Sequence, residues 1–367
     1  MLTDVNIHAI VMPNKICNLA CSYCYVLNKP SSRMSVSLAK HLVDELLTFN
    51  SPSKPTRLIW HGGEPMLAGI NFYDEICQYI VDHYPQHNVE HYIQTNGLLL
   101  NEEWVDFFLA RDFKVGVSMD GDQPIHDACR KDINGRGSFE KVFHNVKNAR
   151  QRGLIVGFLS VITQYSLGHE EEIFRFFYEN RFDFAFHPIT SLTPEMDKNL
   201  AITPQEFADV TIKLFNLGFT QPYPKVTNVS PTMHYAMAVI MGCPSGFCVM
   251  AKSCAEEYIS VEPDGQVQVC DRFSGNSELS FGNISTSPLS EILKSPIRQD
   301  MLERWERVKE KCGNCEWANI CFAGCLHEAY THSGTIFSKD PNCQAYKQIF
   351  SHIFFAIRNE LDKAERV

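Results

Sequence analysis

Three cysteines stand close together near the start of the chain, in the segment KICNLACSYCYVLN at residues 15–28. They are Cys17, Cys21 and Cys24, and the next cysteine along the chain is Cys77. A structural zinc site is closed by four protein ligands, so three thiolates leave one coordination position open. A [4Fe-4S] cluster bound by three cysteines has one iron free for a substrate or a cofactor. We call these three residues the cysteine tripod and expect them to hold such a cluster.

A second group of cysteines occupies the C-terminal third of the chain, between residues 243 and 343. Four of them have ligand-like spacing: Cys312, Cys315, Cys321 and Cys325. A zinc ribbon built from these four would leave the tripod and the cysteines at 248, 254 and 270 unexplained. The spacing therefore favours a second domain that depends on several metal-bound cysteines. The isolated Cys77 and Cys129 are expected to pack as small apolar side chains.

Bulk properties exclude several classes of protein. The 367 residues carry a formal net charge of -10, which disfavours a nonspecific nucleic-acid surface. The first residues, MLTDVNIHAIVMPN, do not read as a secretory signal, and no apolar run approaches the roughly 18 residues of a membrane span. We therefore expect a cytoplasmic protein with neither nucleic acid nor membrane as a partner, in which disulfides do not explain the cysteines.

Short β-rich runs alternate with helical patterns from residue 57 to about 190. The predicted strands lie in RLIWHGGEP, VEHYIQTNG, FKVGVSMDG, LIVGFLSVIT and FDFAFHPIT, and the predicted helices in SLAKHLVDELLTF, NEEWVDFFLAR, SFEKVFHNVKNARQRG and EEEIFRFFYEN. Such alternation predicts an α/β fold with parallel strands and helical crossovers. Polar residues follow the strands at 61–64, 94–96, 118 and 120, where sheets of this type carry their chemistry.

The pattern changes after about residue 225. EYISVEPDGQVQVC alternates on both sides of Pro-Asp-Gly and predicts a β-hairpin. A helical segment at 288–308 and a closing helix at 342–365 flank the dense cysteine cluster. We therefore expect two domains, at residues 1–225 and 226–367.

The tripod spacing, C-x3-C-x-aromatic-C, together with HGGEP at 61–65, resembles the radical S-adenosylmethionine (SAM) superfamily. The resemblance implies a partial (β/α)6 TIM-like barrel in which SAM chelates the open iron of the tripod cluster. The resemblance to the superfamily continues in two further segments, SMDG at 118–121 and IHDACRKDINGRGSF at 125–139. The residues that it places at SAM are Tyr23, Gly62, Gly63, Glu64, Ser118 and Arg130. Glycines let backbone groups approach a ligand closely, and a carboxylate can hold an ammonium.

The C-terminal cysteines are similar to those of the SPASM domain, which holds two auxiliary [4Fe-4S] clusters. The resemblance implies that one cluster takes Cys248, Cys254, Cys270 and Cys325, and that the other takes Cys312, Cys315, Cys321 and Cys343. Cys243 is left over and could replace Cys248. Together with the tripod cluster, the chain would carry three [4Fe-4S] clusters. The resemblance thus implies that residues 1–225 are a radical SAM core domain and residues 226–367 a SPASM domain.

The resemblance also implies a mechanism. One electron from the tripod cluster cleaves SAM, the resulting 5′-deoxyadenosyl radical removes a hydrogen atom from a carbon, and an auxiliary cluster accepts the next electron. Asp271 in VCDRF matches the aspartate proposed as base in sulfatase-maturing members, with His61 as the next candidate.

Three activities fit these features. We favour a maturase that oxidises a residue of a ribosomally made peptide or protein, forming a crosslink. His61 stands where the sulfatase-maturing pattern usually has glutamine, so conversion of cysteine or serine to formylglycine is the alternative. A three-cluster electron-transfer protein is an alternative of another class. The expected partners are a peptide or protein substrate and an electron donor such as flavodoxin or ferredoxin; the target residue, the bond formed and the oligomeric state stay open.

Overall fold

The computed structural model describes residues 5–26, 32–190, 199–221 and 229–364. The strands are β1 (His8–Val11), β2 (Thr56–Trp60), β3 (Val89–Thr95), β4 (Lys114–Ser118), β5 (Val156–Ile162), β6 (Phe184–Pro188), β7 (Val229–Ser230), β8 (Tyr258–Val261), β9 (Gln266–Gln268) and β10 (Gly282–Asn283). The α-helices are α1 (Val36–Phe49), α2 (Ile70–His83), α3 (Glu102–Ala110), α4 (Gln123–Cys129), α5 (Phe139–Gln151), α6 (Glu170–Asn180), α7 (Pro204–Phe219), α8 (Thr232–Met241), α9 (Leu289–Ile292), α10 (Pro296–Leu302), α11 (Arg304–Val308), α12 (Ala318–Cys321), α13 (Leu326–Ser333) and α14 (Cys343–Ala364).

The chain divides into two compact units that interleave along the sequence. The first comprises Met1–Ser118, Arg130–Val156 and Cys254–Leu302, and the second comprises Met119–Cys129, Gly157–Ser253 and Glu303–Val367. The domain boundary that we expect at residue 225 stays a prediction.

The first unit is built on a mixed sheet. Its strands lie in the order β10-β9-β8-β1-β2-β3-β4. Strands β1 to β4 are parallel, and β8 also runs parallel to β1, pairing His8 with Tyr258 and Val11 with Val261. The predicted hairpin is present, since β8 and β9 are antiparallel. The C-terminal cysteine segment therefore joins the sheet directly beside the strand that precedes the cysteine tripod.

The second unit contains the parallel strands β5, β6 and β7 and the long helix α14. Helix α14 packs against α7 and α8, and its Tyr346 and Phe350 lie edge-on to Tyr235 of α8. These aromatic rings are almost fully buried, which removes their apolar surface from water and fixes the helix that begins at Cys343.

Helix starts and ends follow local chemistry. The Ser35 hydroxyl accepts a hydrogen bond from Leu38 N at the start of α1, and Thr203 forms a capping box with Glu206 at the start of α7. Among the described residues, no helix combines the length and apolar character that crossing a membrane requires.

Most predicted elements are present with bounds close to those expected. The five strands predicted between 57 and 190, the four predicted helices (α1, α3, α5 and α6), the hairpin and the closing helix are confirmed. The helical segment at 288–308 is a correction, because it breaks into α9, α10 and α11. Pro296, at the start of α10, lacks the amide hydrogen that a continuous helix would need there. Strand β1 and helices α2, α7 and α8 were not predicted from the sequence.

Candidate active site

The cysteine tripod lies on the loop after β1, in the first unit. Ala20 N donates to Lys131 O at 2.7 Å, and Cys24 N donates to Cys21 O at 3.2 Å, so backbone hydrogen bonds shape the loop. The sulfur of Cys17 faces two N–H groups, those of Leu19 N at 3.4 Å and Asn96 Nδ2 at 3.8 Å. Hydrogen bonds to sulfur stabilise a thiolate and set the potential of a cluster bound to it. The three partly exposed thiols, with N–H donors beside that of Cys17, fit the cluster that the tripod spacing predicts.

The segment HGGEP continues from β2 along the tripod loop through the backbone of Gly63 and Glu64. Gly63 N donates to Asn14 O at 3.1 Å, and Glu64 N donates to Ile16 O at 2.8 Å. A Cβ atom on Gly63 would lie 2.2 Å from Ile16 O, and Gly62 has φ +112°, which side chains disfavour. The structure thus gives these glycines a packing role that the sequence did not suggest. Their predicted contact with SAM stays a prediction.

Glu64 is completely buried and is anchored by the end of the neighbouring strand β3. Its carboxylate accepts hydrogen bonds from Met66 N at 3.0 Å, Thr95 Oγ1 at 2.7 Å and Asn96 N at 2.8 Å. Burial raises the pKa of Glu64, against the lowering effect of these donors. A carboxylate offers about four lone-pair positions, so one remains for a further donor such as an ammonium group.

The other residues predicted at SAM also lie in the first unit. The guanidinium of Arg130 stacks over the ring of Tyr23, 5.2 Å from its centroid, and both side chains are buried. Ser118, at the end of β4, accepts a hydrogen bond from Gln94 Nε2 at 2.9 Å. The polar residues at the ends of β2, β3 and β4 therefore meet at one sheet edge, as predicted. The SAM contacts themselves stay predictions.

Asp271, the predicted base, belongs to a tight group of three side chains. We call Tyr25, His61 and Asp271 the acid–base cluster. His61 Nδ1 lies 3.0 Å from Asp271 Oδ2 and 3.0 Å from the Tyr25 hydroxyl, and that hydroxyl donates to Asp271 Oδ2. The Cys270 sulfur lies 3.4 Å from Asp271 Oδ1. The acid–base cluster thus contacts Cys270, a predicted ligand of an auxiliary cluster. Its Tyr25 directly follows Cys24 of the tripod in the sequence.

Electrostatics bind the acid–base cluster together. Burial alone would raise the pKa of Asp271, but the charge of His61 and hydrogen bonds from His61 and Tyr25 hold it well below its usual range. Burial alone would lower the pKa of His61, and the charge of Asp271 reverses this and raises it. Burial and then Asp271 raise the pKa of Tyr25 far above its usual value. The arrangement therefore favours a carboxylate beside an imidazole that readily holds a proton.

The second unit contains an open pocket between α12 and α14. Its lining includes all four cysteines predicted to bind one auxiliary cluster: Cys312, Cys315, Cys321 and Cys343. Four converging thiols in a pocket fit a fully ligated [4Fe-4S] cluster.

The other predicted auxiliary set is divided between the two units. Cys254 and Cys270 lie in the first unit, and Cys248 and Cys325 in the second. Burial and then the charge of Asp271 raise the pKa of Cys270, and Cys254 is near enough to add to the shift. This ligand set, and the choice between Cys243 and Cys248, stay predictions. No disulfide involves any of the 14 cysteines, all of which are described, and Cys77 and Cys129 are buried as expected.

Two buried arginines, which the sequence analysis missed, hold the backbone of cysteine-bearing segments. Arg304 is 3% exposed and donates to five carbonyl oxygens at 2.7–3.2 Å, those of Ile336, Phe322, Gly324, Ala323 and Ser338. In the first unit, Arg298 donates to Ala255 O at 3.0 Å, next to Cys254. The planar guanidinium can serve several carbonyls at once, which a lysine cannot do.

Comparison with known proteins defines the class of protein. Residues 11–177 match the family model of the radical SAM superfamily, and residues 248–316 match that of the SPASM iron-sulfur cluster-binding domain. The chain belongs to the radical SAM superfamily and carries a SPASM domain. It is a radical SAM oxidoreductase whose cofactors are S-adenosylmethionine and [4Fe-4S] clusters, and the number of three clusters stays a prediction. The predicted fold class and cofactors are therefore confirmed.

Two curated relatives match almost end to end. The chain is 28% identical to a cysteine-type anaerobic sulfatase-maturating enzyme of Clostridium novyi (strain NT), over 91% of each chain. It is 27% identical to a serine-type anaerobic sulfatase-maturating enzyme of Bacteroides thetaiotaomicron, over 95% of this chain and 89% of the relative.

Solved structures share the fold. Native anSMEcpe with bound AdoMet and Cp18Cys peptide superimposes with a TM-score of 0.85 at 24% identity, covering 97% of this chain and 99% of that one. Streptococcus suis SuiB bound to precursor peptide SuiA gives a TM-score of 0.66 at 14% identity, covering 92% of this chain and 75% of that one.

Proposed function

We propose that this enzyme oxidises a cysteine or serine residue of a protein substrate to formylglycine. The observation that carries the proposal is the end-to-end similarity to curated cysteine-type and serine-type anaerobic sulfatase-maturating enzymes. This favours the alternative activity over the crosslink that the sequence analysis preferred. The electron-transfer alternative is set aside because the chain belongs to an enzyme superfamily.

The bound cofactors supply the radical that removes one hydrogen from the substrate Cβ and the oxidant that takes the remaining unpaired electron. The protein must then remove the proton of the substrate O–H or S–H group, so that a carbon–oxygen or carbon–sulfur double bond forms. A serine gives the aldehyde directly, and a cysteine gives a thioaldehyde that water converts to the aldehyde with release of hydrogen sulfide. The acid–base cluster supports this proposal, because it offers a carboxylate and an imidazole for that proton.

Low-potential electrons for SAM cleavage have to come from outside the chain. We propose a carrier of the flavodoxin or ferredoxin type and a cytoplasmic setting, where such carriers work.

The test uses the cluster-loaded enzyme with SAM and dithionite under anaerobic conditions. Three peptides of otherwise identical sequence carry cysteine, serine or alanine at the target position. We expect an aldehyde, trapped by a hydrazide reagent, from the cysteine or the serine peptide and none from the alanine peptide. A product that has lost two hydrogens but does not react with hydrazide would indicate a crosslink and contradict the proposal.

A further inference from the structure

His61 has hydrogen-bond partners at one ring nitrogen, Nδ1, and none among the described residues at the other, Nε2. Nδ1 lies 3.0 Å from both Asp271 Oδ2 and the Tyr25 hydroxyl. Within the described part of the chain, Nε2 makes no hydrogen bond, and the His61 side chain is 24% exposed against 12% for Asp271. Of these two side chains, the imidazole is therefore the more accessible.

The hydrogen bonds determine which nitrogen of a neutral His61 carries the proton. The Tyr25 hydroxyl gives its only hydrogen to Asp271 Oδ2, so its oxygen can only accept toward His61. Nδ1 consequently faces two acceptor oxygens and must itself donate. Because a neutral imidazole carries one N–H, Nε2 is left with a free lone pair.

The carboxylate of Asp271 already accepts two hydrogen bonds. Its Oδ2 accepts from Tyr25 and from His61, and its Oδ1 lies 3.4 Å from the Cys270 sulfur. Hydrogen bonds to the charged form of a carboxylate stabilise that form and make it a weaker acceptor for a substrate proton. A proton that goes to Nε2 leaves both hydrogen bonds in place, and the imidazolium that forms keeps its own hydrogen bond to the carboxylate.

Position along the chain supports the same role. His61 N donates to Val11 O at 2.9 Å, which extends the β1–β2 ladder by one residue. The ring is thus carried by the end of a buried strand, where it can be held in one orientation. Glu64, the other carboxylate whose charge acts on His61, is buried and engaged by its own donors.

We propose that Nε2 of His61 accepts the substrate's proton and that Asp271 and Tyr25 position the ring. The inference rests on the proposed function and changes the role predicted for Asp271 from base to positioning residue. In the step, the substrate O–H or S–H bond breaks and its proton goes to Nε2. The unpaired electron on Cβ leaves to the one-electron oxidant, an iron-sulfur cluster, and the carbon–oxygen or carbon–sulfur double bond forms.

The test removes the imidazole ring of His61 by mutation and adds free imidazole to the solution as a substitute. His61→Gly, Asp271→Gly and the surface control His144→Gln are assayed with the reactive peptide, with and without added imidazole or acetate, and both 5′-deoxyadenosine and aldehyde are measured. For His61→Gly we expect aldehyde per 5′-deoxyadenosine to fall by ~10²-fold or more, the usual scale for loss of a general base. Imidazole should restore a large part of it, and acetate should not.

Other outcomes separate the claims. Aldehyde formation at the wild-type ratio in His61→Gly, or rescue of Asp271→Gly by acetate with no rescue of His61→Gly by imidazole, would overturn the role of His61 and leave the proposed function standing. His61→Gln, which places at this position the glutamine usual in sulfatase-maturing enzymes, adds a check: an unchanged ratio would likewise overturn the role of His61. Absence of aldehyde with the wild-type enzyme would overturn the proposed function, and this inference with it.

Discussion

Replacing Gly63 by alanine would place a methyl group against the loop that carries the cysteine tripod. The added Cβ would lie 2.2 Å from Ile16 O and 2.6 Å from the carbonyl carbon of Lys15. Both are backbone atoms, so no side-chain rotation relieves the contact. The loop must retreat by roughly 1 Å to reach an ordinary van der Waals separation.

The cost follows from what holds that loop. Overpacking a tight site costs about 1–3 kcal/mol. The hydrogen bonds from Gly63 N to Asn14 O and from Glu64 N to Ile16 O, at 3.1 and 2.8 Å, would both stretch. Each is worth about 0.5–1.5 kcal/mol. We therefore expect a destabilisation of about 2–6 kcal/mol. Displacement of reacting groups by roughly 1 Å can also cost ~10²-fold in rate.

The assay compares Gly63→Ala with the wild type after anaerobic reconstitution. We expect a lower melting temperature, loss of up to one third of about twelve irons per chain, and 5′-deoxyadenosine formation lower by ~10²-fold. Gly157→Ala is the matched control, because a Cβ there meets nothing within 4 Å. Full iron content and wild-type SAM cleavage in Gly63→Ala would refute the reasoning.

Three further predictions concern the metal sites. Replacing all three tripod cysteines by alanine should remove about one third of the iron and abolish SAM cleavage; zinc in place of iron in anaerobically purified protein would contradict the cluster assignment. Cys343→Ala should lower iron content and thermal stability while Cys77→Ala spares the clusters, and equal iron losses would refute the ligand set. Arg304→Lys should lower the melting temperature and the iron content, because lysine leaves buried carbonyls unpaired at about 1–3 kcal/mol each, whereas Arg307→Lys, at an exposed ion pair, should change little.

The elements that sequence analysis predicted are those with strong local signals. Strands β2 to β6 are apolar runs that end in glycine or polar residues, and α14 has a long amphipathic repeat. Helix α2 has Gly69 at its N-cap position, where no side chain can cap it, so it lacks the usual start signal. Strand β1 has only four residues and gains its stability from partners far along the chain, β2 and β8.

The parts of the candidate site that could be predicted are those for which the spacing of residues along the sequence is enough to indicate the chemistry. Four cysteines predicted to share a cluster do line one pocket, and Glu64 does meet the end of β3. The role of Tyr25 was not predictable, because its partner Asp271 lies 246 residues away. Its position directly after a tripod cysteine was the one available signal. The packing role of Gly63 was equally hidden, since it depends on how β2 meets the loop after β1.

The acid–base cluster also shows why a histidine can occupy a position where glutamine is usual in sulfatase-maturing enzymes. An amide side chain can bridge Tyr25 and Asp271 by hydrogen bonds, but it cannot take up a proton near neutral pH. An imidazole makes the same bridge through Nδ1 and adds a basic nitrogen on its far side. The proton acceptor then lies one side chain further from Cys270, and Asp271 can keep its hydrogen bonds throughout the oxidation. In the proposed step, the histidine at position 61 therefore changes which group receives the proton.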